Sequence, residues 1–426
     1  MLDLKFIREN LEIVRDAIKR KHEKDCLDEV LDIDTRRKKL LQESESIKNE
    51  RNKIADEVAK LKRQGQDASA LIATGREKGD LLKNLDDTLR EVERKLNELV
   101  LYVPNVPHAS VPSGDTSEDN VEIRRWGETE AKFDFAPLDH LSLGEKLGIL
   151  DFNRGSKVTG AGFPVYVGKG ASLERGLINF MLDLHVNKHG YTEIFPPFVV
   201  NQASMRGTGQ LPKMAEDMYH CEVDDLYLVP TAEVPVTNMR RDEILPVESL
   251  PVKYTAYSAC FRREAGSWGK ESRGFLRVHQ FNKVELVKFT KPEDSYDELE
   301  KLVVDVEEVL QLLNIPYRVM LLCAGDLSFS AAKCYDIEVF APATEVRGGW
   351  LEASSCSNFE SFQARRSNIR FKRDPKSKPE FVHTLNGSGL ATSRLMVALL
   401  ENYQTPEGKV IVPKVLHEYT GFTVIG

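Results

Sequence analysis

Cysteine is scarce and unpaired: six in 426 residues, at positions 26, 221, 260, 323, 334 and 356, with no Cys-x-x-Cys among them. That excludes a zinc ribbon and a dithiol redox motif, and it reads as reduced thiols in an intracellular protein. Long apolar runs are missing too, since none approaches the ~18 residues that a membrane span needs. The start, Met1-Leu-Asp-Leu-Lys-Phe-Ile-Arg-Glu-Asn10, is charged where a secretory leader would be apolar, so a cytoplasmic protein with no membrane partner is expected. An excess of positive charge is absent: 59 Lys and Arg face 67 Asp and Glu, a formal charge of -8. A uniformly basic nucleic-acid coat is thereby excluded and no DNA partner is expected, while local basic patches remain allowed. Neither G-x-x-x-x-G-K-[ST] nor G-x-G-x-x-G occurs, so the two common nucleotide fingerprints do not apply.

What is present divides the chain. Residues 1–22 predict a helix from Leu4, Ile7, Leu11, Val14 and Ile18. Ile33, Leu40, Ile47, Ile54 and Leu61 then recur every seven residues, with Val58 between the last two. After Gln64-Gly-Gln-Asp-Ala-Ser69, the series Leu82, Leu85, Leu89, Val92, Leu96, Leu99 steps by three and four, the seam of a coiled coil. A short polar link between two heptad helices predicts an antiparallel hairpin. A first helix of about 35 residues would be roughly 50 Å long at ~1.5 Å per residue. Dimerisation would explain the periodicity as well. The turn and the tip, where Lys60, Lys62, Arg63, Arg76 and Lys78 outnumber Asp67 and Glu77, favour an arm that meets phosphates.

The expected domains are a helical arm at 1–104, a Pro-rich linker at 105–120 and one α+β domain at 121–426. Four blocks in the last carry chemistry. Ala171 to Val200 reads as a helix stopped by Gly190, then a strand that runs into Pro196-Pro197 and so lies at a sheet edge. Tyr254 to Phe261 and Phe275 to Val287 read as a long hairpin around a Gly/Ser-rich loop. Alternation points Leu276, Val278, Val284 and Leu286 toward a core, and Arg277, His279, Phe281, Lys283 and Glu285 the other way. A solvated face accounts for the charges in that row but not for the aromatic between them. In the third block, Glu352 is followed by Ser354 and Ser355, a carboxylate and hydroxyls of the kind Mg²⁺ accepts, although Ser-rich turns are commonly nothing more. The fourth, Asn386-Gly-Ser-Gly389, leads into a helix with Arg394 in its first turns, and helix N-termini favour anions.

Helix–strand–proline, a hairpin carrying Phe-Arg-x-Glu, and a Gly-rich turn into a helix with Arg together resemble the three signature motifs of class II aminoacyl-tRNA synthetases. The class I signatures His-x-Gly-His and Lys-Met-Ser-Lys-Ser are absent. Thr208-Gly-Gln-Leu-Pro-Lys213, Pro230-Thr-Ala-Glu233, Phe261-Arg-Arg-Glu-Ala-Gly-Ser267, Arg277-Val-His-Gln-Phe281, Ser354-Ser-Cys-Ser-Asn358 and Asn386-Gly-Ser-Gly389 are similar to the bacterial-type seryl-tRNA synthetase family, along the whole chain.

The resemblance implies an α+β fold: a class II antiparallel sheet flanked by helices, preceded by an antiparallel coiled-coil arm that grips tRNA-Ser. It implies ATP, L-serine and Mg²⁺ as ligands and a homodimer joined through Ala171–Pro197, and it leaves open whether selenocysteine tRNA (tRNA-Sec) is served. It assigns the α-phosphate of ATP to Arg262 and the outer phosphates to Arg277, places Arg263 and Glu264 beside Arg262 in the ATP site, and gives the adenine to Phe281 and Arg394. Val278, Ala353 and Ser354 would line the nucleotide site, and Glu352 and Ser355 would hold the metal. Serine would be held by Thr231, Ala232, Glu233, Arg262, Glu285 and Ser388. Ala353 stands where this family often has Val, a small packing change. Strict alternation puts 352 and 355 on opposite faces, so a bulge or strand end is expected between them. A ligase serving a carrier protein, or an inactive RNA-binding homologue, would be expected to lack the arm or the charged site residues.

Overall fold

The computed structural model describes residues 1–129, 133–265 and 274–426. The Gly/Ser-rich loop expected after Ala265 lies outside the described residues, as do Gly266 and Ser267 of the motif quoted above. The chain forms two compact units: Leu2–Lys19 with Glu23–Pro104, and Asn105–Gly426 with Met1 and Arg20–His22. Among the described residues no helix is long and apolar enough to cross a membrane.

The first unit contains α1 (Leu4–Glu9), α2 (Leu11–Arg20), α3 (Leu27–Arg63) and α4 (Ser69–Val100). The single helix expected over 1–22 is broken at Asn10, whose side-chain amide donates to the Phe6 carbonyl and so competes with the helical ladder. α3 has 37 residues, ~55 Å at ~1.5 Å rise. Its pairing with α4 is antiparallel: Glu29 meets Lys95 at 3.1 Å, Lys48 meets Asp86 at 3.7 Å, and Glu50 meets Lys78 at 2.7 Å. Two helices can bury only one stripe each. Ile33, Leu82, Val92 and Leu96 are buried, whereas Leu40, Ile47, Ile54 and Leu61 stay half-buried. A polar contact that the apolar spacing conceals sits in the seam: buried Ser44 donates to Asp86 Oδ1 at 3.2 Å. Of the tip cations, Lys78 is tied to Glu50, while Lys60, Lys62, Arg63 and Arg76 are exposed.

The second unit is built on an eight-stranded sheet. Its strands are β1 (Val121–Trp126), β2 (Thr192–Ile194), β3 (Val252–Phe261), β4 (Gln280–Thr290), β5 (Tyr317–Leu321), β6 (Lys333–Phe340), β7 (Trp350–Asn358) and β8 (His383–Ala391), in spatial order β1-β5-β6-β7-β8-β4-β3-β2. All neighbours are antiparallel except β2, which runs parallel to β3 at the edge, where Pro196 and Pro197 stop it. Three helices pack on the sheet: α5 (Lys169–Asn187), α6 (Ser295–Leu312) and α7 (Thr392–Asn402). Leu173, Leu177 and Met181 of α5, Leu302 and Val306 of α6, and Met396 and Leu399 of α7 have no exposure and share a core with Val284 and Leu286 of β4. Residues 105–120 are fastened to this unit by Asn105, whose amide donates to the carbonyls of Ser330 and Phe359, both at 2.9 Å.

The hairpin differs from its expected form at one end. β4 starts at Gln280, not Phe275, because Gly274 takes a φ of +63° and turns Gly274–Leu276 into a 3₁₀ turn. Arg277, Val278 and His279 therefore stand outside the ladder, and their alternation does not continue that of the strand. His279 is turned against Phe163, ring centroids 5.4 Å apart, with Nδ1 3.0 Å from the Arg262 carbonyl.

Beneath the sheet Lys288, 1% exposed, places Nζ 3.0 Å from Glu298 Oε2 and 3.2 Å from the Glu298 carbonyl. Burial pulls its pKa below the ordinary lysine value, so the paired carboxylate decides whether the charge is tolerated. Glu298→Ala is expected to lower the unfolding free energy by about 3 kcal/mol, read by urea denaturation. Pairing it with Lys288→Met should recover much of that loss.

Candidate active site

Three of the four chemistry-bearing blocks meet, with Thr231 and Glu233, in one cleft of about 360 Å³ over β4, β7 and β8, and no residue of 171–200 lines it. Beneath its floor lies Glu285 on β4, which has no exposure and does not itself line the cleft, whereas its partners Thr231, Lys283 and Asn386 do. Thr231 Oγ1 donates to Glu285 Oε2 at 2.9 Å, Lys283 Nζ lies 2.6 Å from the same oxygen, and Asn386 Nδ2 donates to Oε1 at 3.0 Å. A carboxylate removed from water keeps its charge only when its lone pairs are filled in this way. Thr231 also caps the next turn, accepting from Glu233 N at 3.2 Å. Glu233 is buried, 6% exposed, and its Oε1 accepts from Gln363 Nε2 at 2.6 Å. Gln363 is fixed in turn by Thr384, whose hydroxyl donates to its Oε1 at 2.8 Å. Ser388 completes this corner, and its carbonyl accepts from Ser354 Oγ at 2.6 Å. Ala232 is buried in a neighbouring apolar cluster with Val236 and Phe289, and does not line the cleft.

The cleft's other end is cationic. Arg262 follows β3, with its guanidinium 5.2 Å from the Phe281 ring centroid. Glu264, held at a φ of +50°, accepts from Arg277 Nε at 2.5 Å. Arg394, at the start of α7, donates to the Glu352 carbonyl at 2.5 Å and lies 3.2 Å from Glu352 Oε2. Val278, Phe281, Ala353, Ser354 and Ser355 line the same space. Arg263 does not: its side chain is exposed, and its backbone N–H donates to the Asp217 carbonyl at 2.9 Å.

A register shift on β7 settles the parity of Glu352 and Ser355. Ile337 pairs with Ser354 but Glu338 pairs with Glu352, which leaves Ala353 as the extra residue of a bulge. Both 352 and 355 consequently border the cleft. A carboxylate and a hydroxyl suit a hard divalent cation that takes few protein oxygens. Among the described residues no group of three or more His, Cys, Asp or Glu gathers as a metal cage.

Residues 219–403 match the model of the tRNA synthetase class II core domain (G, H, P, S and T), and residues 1–107 match the seryl-tRNA synthetase N-terminal domain. The chain is 59% identical over 430 residues to the serine--tRNA ligase of Chloroherpeton thalassium, covering 100% of both proteins. It belongs to the seryl-tRNA synthetase family. The serine--tRNA ligase of Carboxydothermus hydrogenoformans is 58% identical over 421 residues, 99% of this chain and 98% of that one. A crystal structure of seryl-tRNA synthetase from Pyrococcus horikoshii complexed with ATP superposes with a TM-score of 0.92 at 40% identity, over 100% of this chain and 99% of the other. The cytoplasmic serine-tRNA ligase from Naegleria fowleri in complex with AMP gives 0.87 at 31% identity, over 100% and 98%.

Three residues of this seryl-tRNA synthetase family site carry no role in the sequence reading: Lys283, Gln363 and Asn386. Lys283 appears there only as a cation two positions from Glu285 on the same strand face, and Asn386 only as the first residue of the Asn386-Gly-Ser-Gly389 motif.

Burial, and then the charge of Glu285, push Glu233 up from the usual 4.5 to about 7, against the opposing donation from Gln363. The unfolded chain releases that proton near the ordinary carboxyl range and the native protein only near neutrality. The native state thus holds the extra proton in between, and the associated stability is lost as pH rises from about 4.5 through about 7. Glu233→Gln is expected to remove on the order of 3 kcal/mol of that decline, seen as a flatter dependence of melting temperature on pH. Glu174, also held at about 7 by burial, should leave a residual slope of the same sign.

Proposed function

We propose that the chain activates L-serine with ATP to seryl-adenylate and transfers the seryl group to the 3′ end of tRNA-Ser. The observation that carries this reading is the meeting in one cleft of Arg262, Arg277 and Arg394 with Thr231, Lys283 and Asn386, the three partners of the buried carboxylate Glu285. In the first step a serine carboxylate oxygen attacks the α-phosphorus. The bond to the β-phosphate bridge breaks, and pyrophosphate leaves. Such a step needs alignment and charge neutralisation more than a protein nucleophile. Arg262 neutralises the α-phosphate beside the serine carboxylate, with Arg263 and Glu264 in the same motif. Arg277, oriented by Glu264, faces the outer phosphates. Phe281 and Arg394 enclose the adenine, and Val278, Ala353 and Ser354 shape the nucleotide wall. In the second step the terminal ribose hydroxyl of tRNA takes the acyl group and AMP leaves.

Where Mg²⁺ binds, Glu352 and Ser355 would hold it, and it supplies charge neutralisation at the phosphate oxygens. Thr231, Glu233 and Ser388, with Glu285 beneath them, form the serine pocket, and Ala232 only backs it from the neighbouring apolar cluster. The buried Thr231 and Glu285 favour a ligand hydroxyl over a methyl, because serine can add a hydrogen bond to this network and alanine cannot. The exposed tip cations of the α3–α4 hairpin support contact with the tRNA backbone. Phe195, 77% exposed just beyond edge strand β2, supports a homodimer joined there. A cytoplasmic location fits that activity.

Glu285→Ala is expected to cut serine-dependent ATP–pyrophosphate exchange by at least about 10²-fold and to erase the preference for serine over alanine. Unchanged serine activation would overturn the assignment. Reversing charge at Lys60, Lys62, Arg63 and Arg76 together should leave exchange intact and lower kcat/KM for tRNA charging by roughly tenfold or more, an effect that added salt diminishes. Equal loss in both assays would contradict a tRNA arm.

A further inference from the structure

We propose that His140 is a positioning residue that fixes where the chain returns from the loop after β3, and through that return sets the placement of Arg277 in the cleft. The inference rests on the nucleotide reading given above. His140 opens the short helix His140–Lys146, is 3% exposed and does not line the cleft. Its Nδ1 lies 3.1 Å from Glu401 Oε1, and Phe275 N–H donates to its Nε2 at 3.4 Å. Glu401, with no exposure, also accepts from His140 N at 3.1 Å, Thr344 Oγ1 at 2.9 Å and Ala343 N at 2.9 Å. Glu401 accepts at every one of these contacts, so the imidazole proton belongs on Nδ1. Nε2 is then a lone pair, which is what the Phe275 N–H requires.

Packing makes this contact a fixed point. The Phe275 ring is 1% exposed, stacked on Tyr166 at 5.2 Å and edge-on to Phe152 at 5.4 Å. A Cβ on Gly274 would stand 2.4 Å from His140 Nε2, so the backbone passes as close to the imidazole as glycine permits. Phe275, Leu276, Arg277 and Val278 are consecutive cleft-lining residues, and Arg277 reaches Glu264. A displacement of 1 Å at Phe275 is carried straight to the Arg277 guanidinium, and errors of that size in a phosphate-holding group cost about 10²-fold in rate. Thr231 and Ser388 hang on other segments, and Glu285, further along β4, is held by its own bonds to Thr231, Lys283 and Asn386.

Two variants separate anchoring from plain support. Asn places its amide nitrogen near the position of Nδ1, keeping the donor to Glu401 and losing the acceptor for Phe275. Gln places an amide oxygen near Nε2 and does the reverse. Calorimetric titration with a non-hydrolysable ATP analogue, beside KM values for ATP and serine in pyrophosphate exchange, reads the outcome. His140→Asn is expected to weaken analogue binding and raise KM for ATP about tenfold, with KM for serine unchanged within about twofold. His140→Gln should restore most of the loss at a similar melting temperature. Equal ATP binding by the two variants, or parallel loss of ATP and serine affinity with a falling melting temperature, would overturn the anchor. Wild-type protein lacking serine-dependent exchange would instead sink the functional reading, while the calorimetric comparison would still decide the anchor.

Discussion

The burial of one carboxylate organises the rest. Glu285 has no contact with water, and an unpaired charge there would cost several kcal/mol. Its three donors come from the segment before the Glu233–Asn238 helix, from its own strand and from β8, so these pieces must meet for the fold to be tolerable. Once they do, Glu233, Ser388 and Asn386 have no further freedom. One electrostatic requirement thus orders the pieces around Glu285 and, in the proposed reading, prepares the site above it for a ligand hydroxyl.

Opposite that floor the protein holds guanidinium groups in advance of any phosphate. Arg277 rests on Glu264 and Arg394 on Glu352, in a chain whose overall charge is -8. Preset cations of this kind stabilise developing phosphate charge without reorganising when the reaction occurs. The bulge at Ala353 belongs to the same design, since it lets two neighbours on one strand face the same space.

Features with a local cause were legible in the sequence. Apolar residues at seven-residue spacing exposed the hairpin of α3 and α4, Pro196-Pro197 marked the sheet edge, and the parity of Glu352 and Ser355 required the bulge that β7 contains. Features fixed by distant partners were not. Gln363 and Glu233 lie 130 positions apart, and nothing near either signals their bond. His279 looked like a cleft residue because alternation was carried back through Arg277 and Val278, yet Gly274 ends the extended chain before it reaches them. Lys78 counted as a tip cation until Glu50 was found across the hairpin. Ser44 was hidden because heptad patterns are read from apolar residues alone.

The central claim is that four separated segments converge on a single nucleotide and a single small hydroxy amino acid. A crystal structure with a non-hydrolysable seryl-adenylate analogue tests it most directly. The account predicts the phosphate against Arg262, the adenine between Phe281 and Arg394, and the serine hydroxyl within hydrogen-bond reach of Thr231 and Glu285. An analogue seated in another crevice, or bound here with its hydroxyl turned away from Glu285, would contradict it.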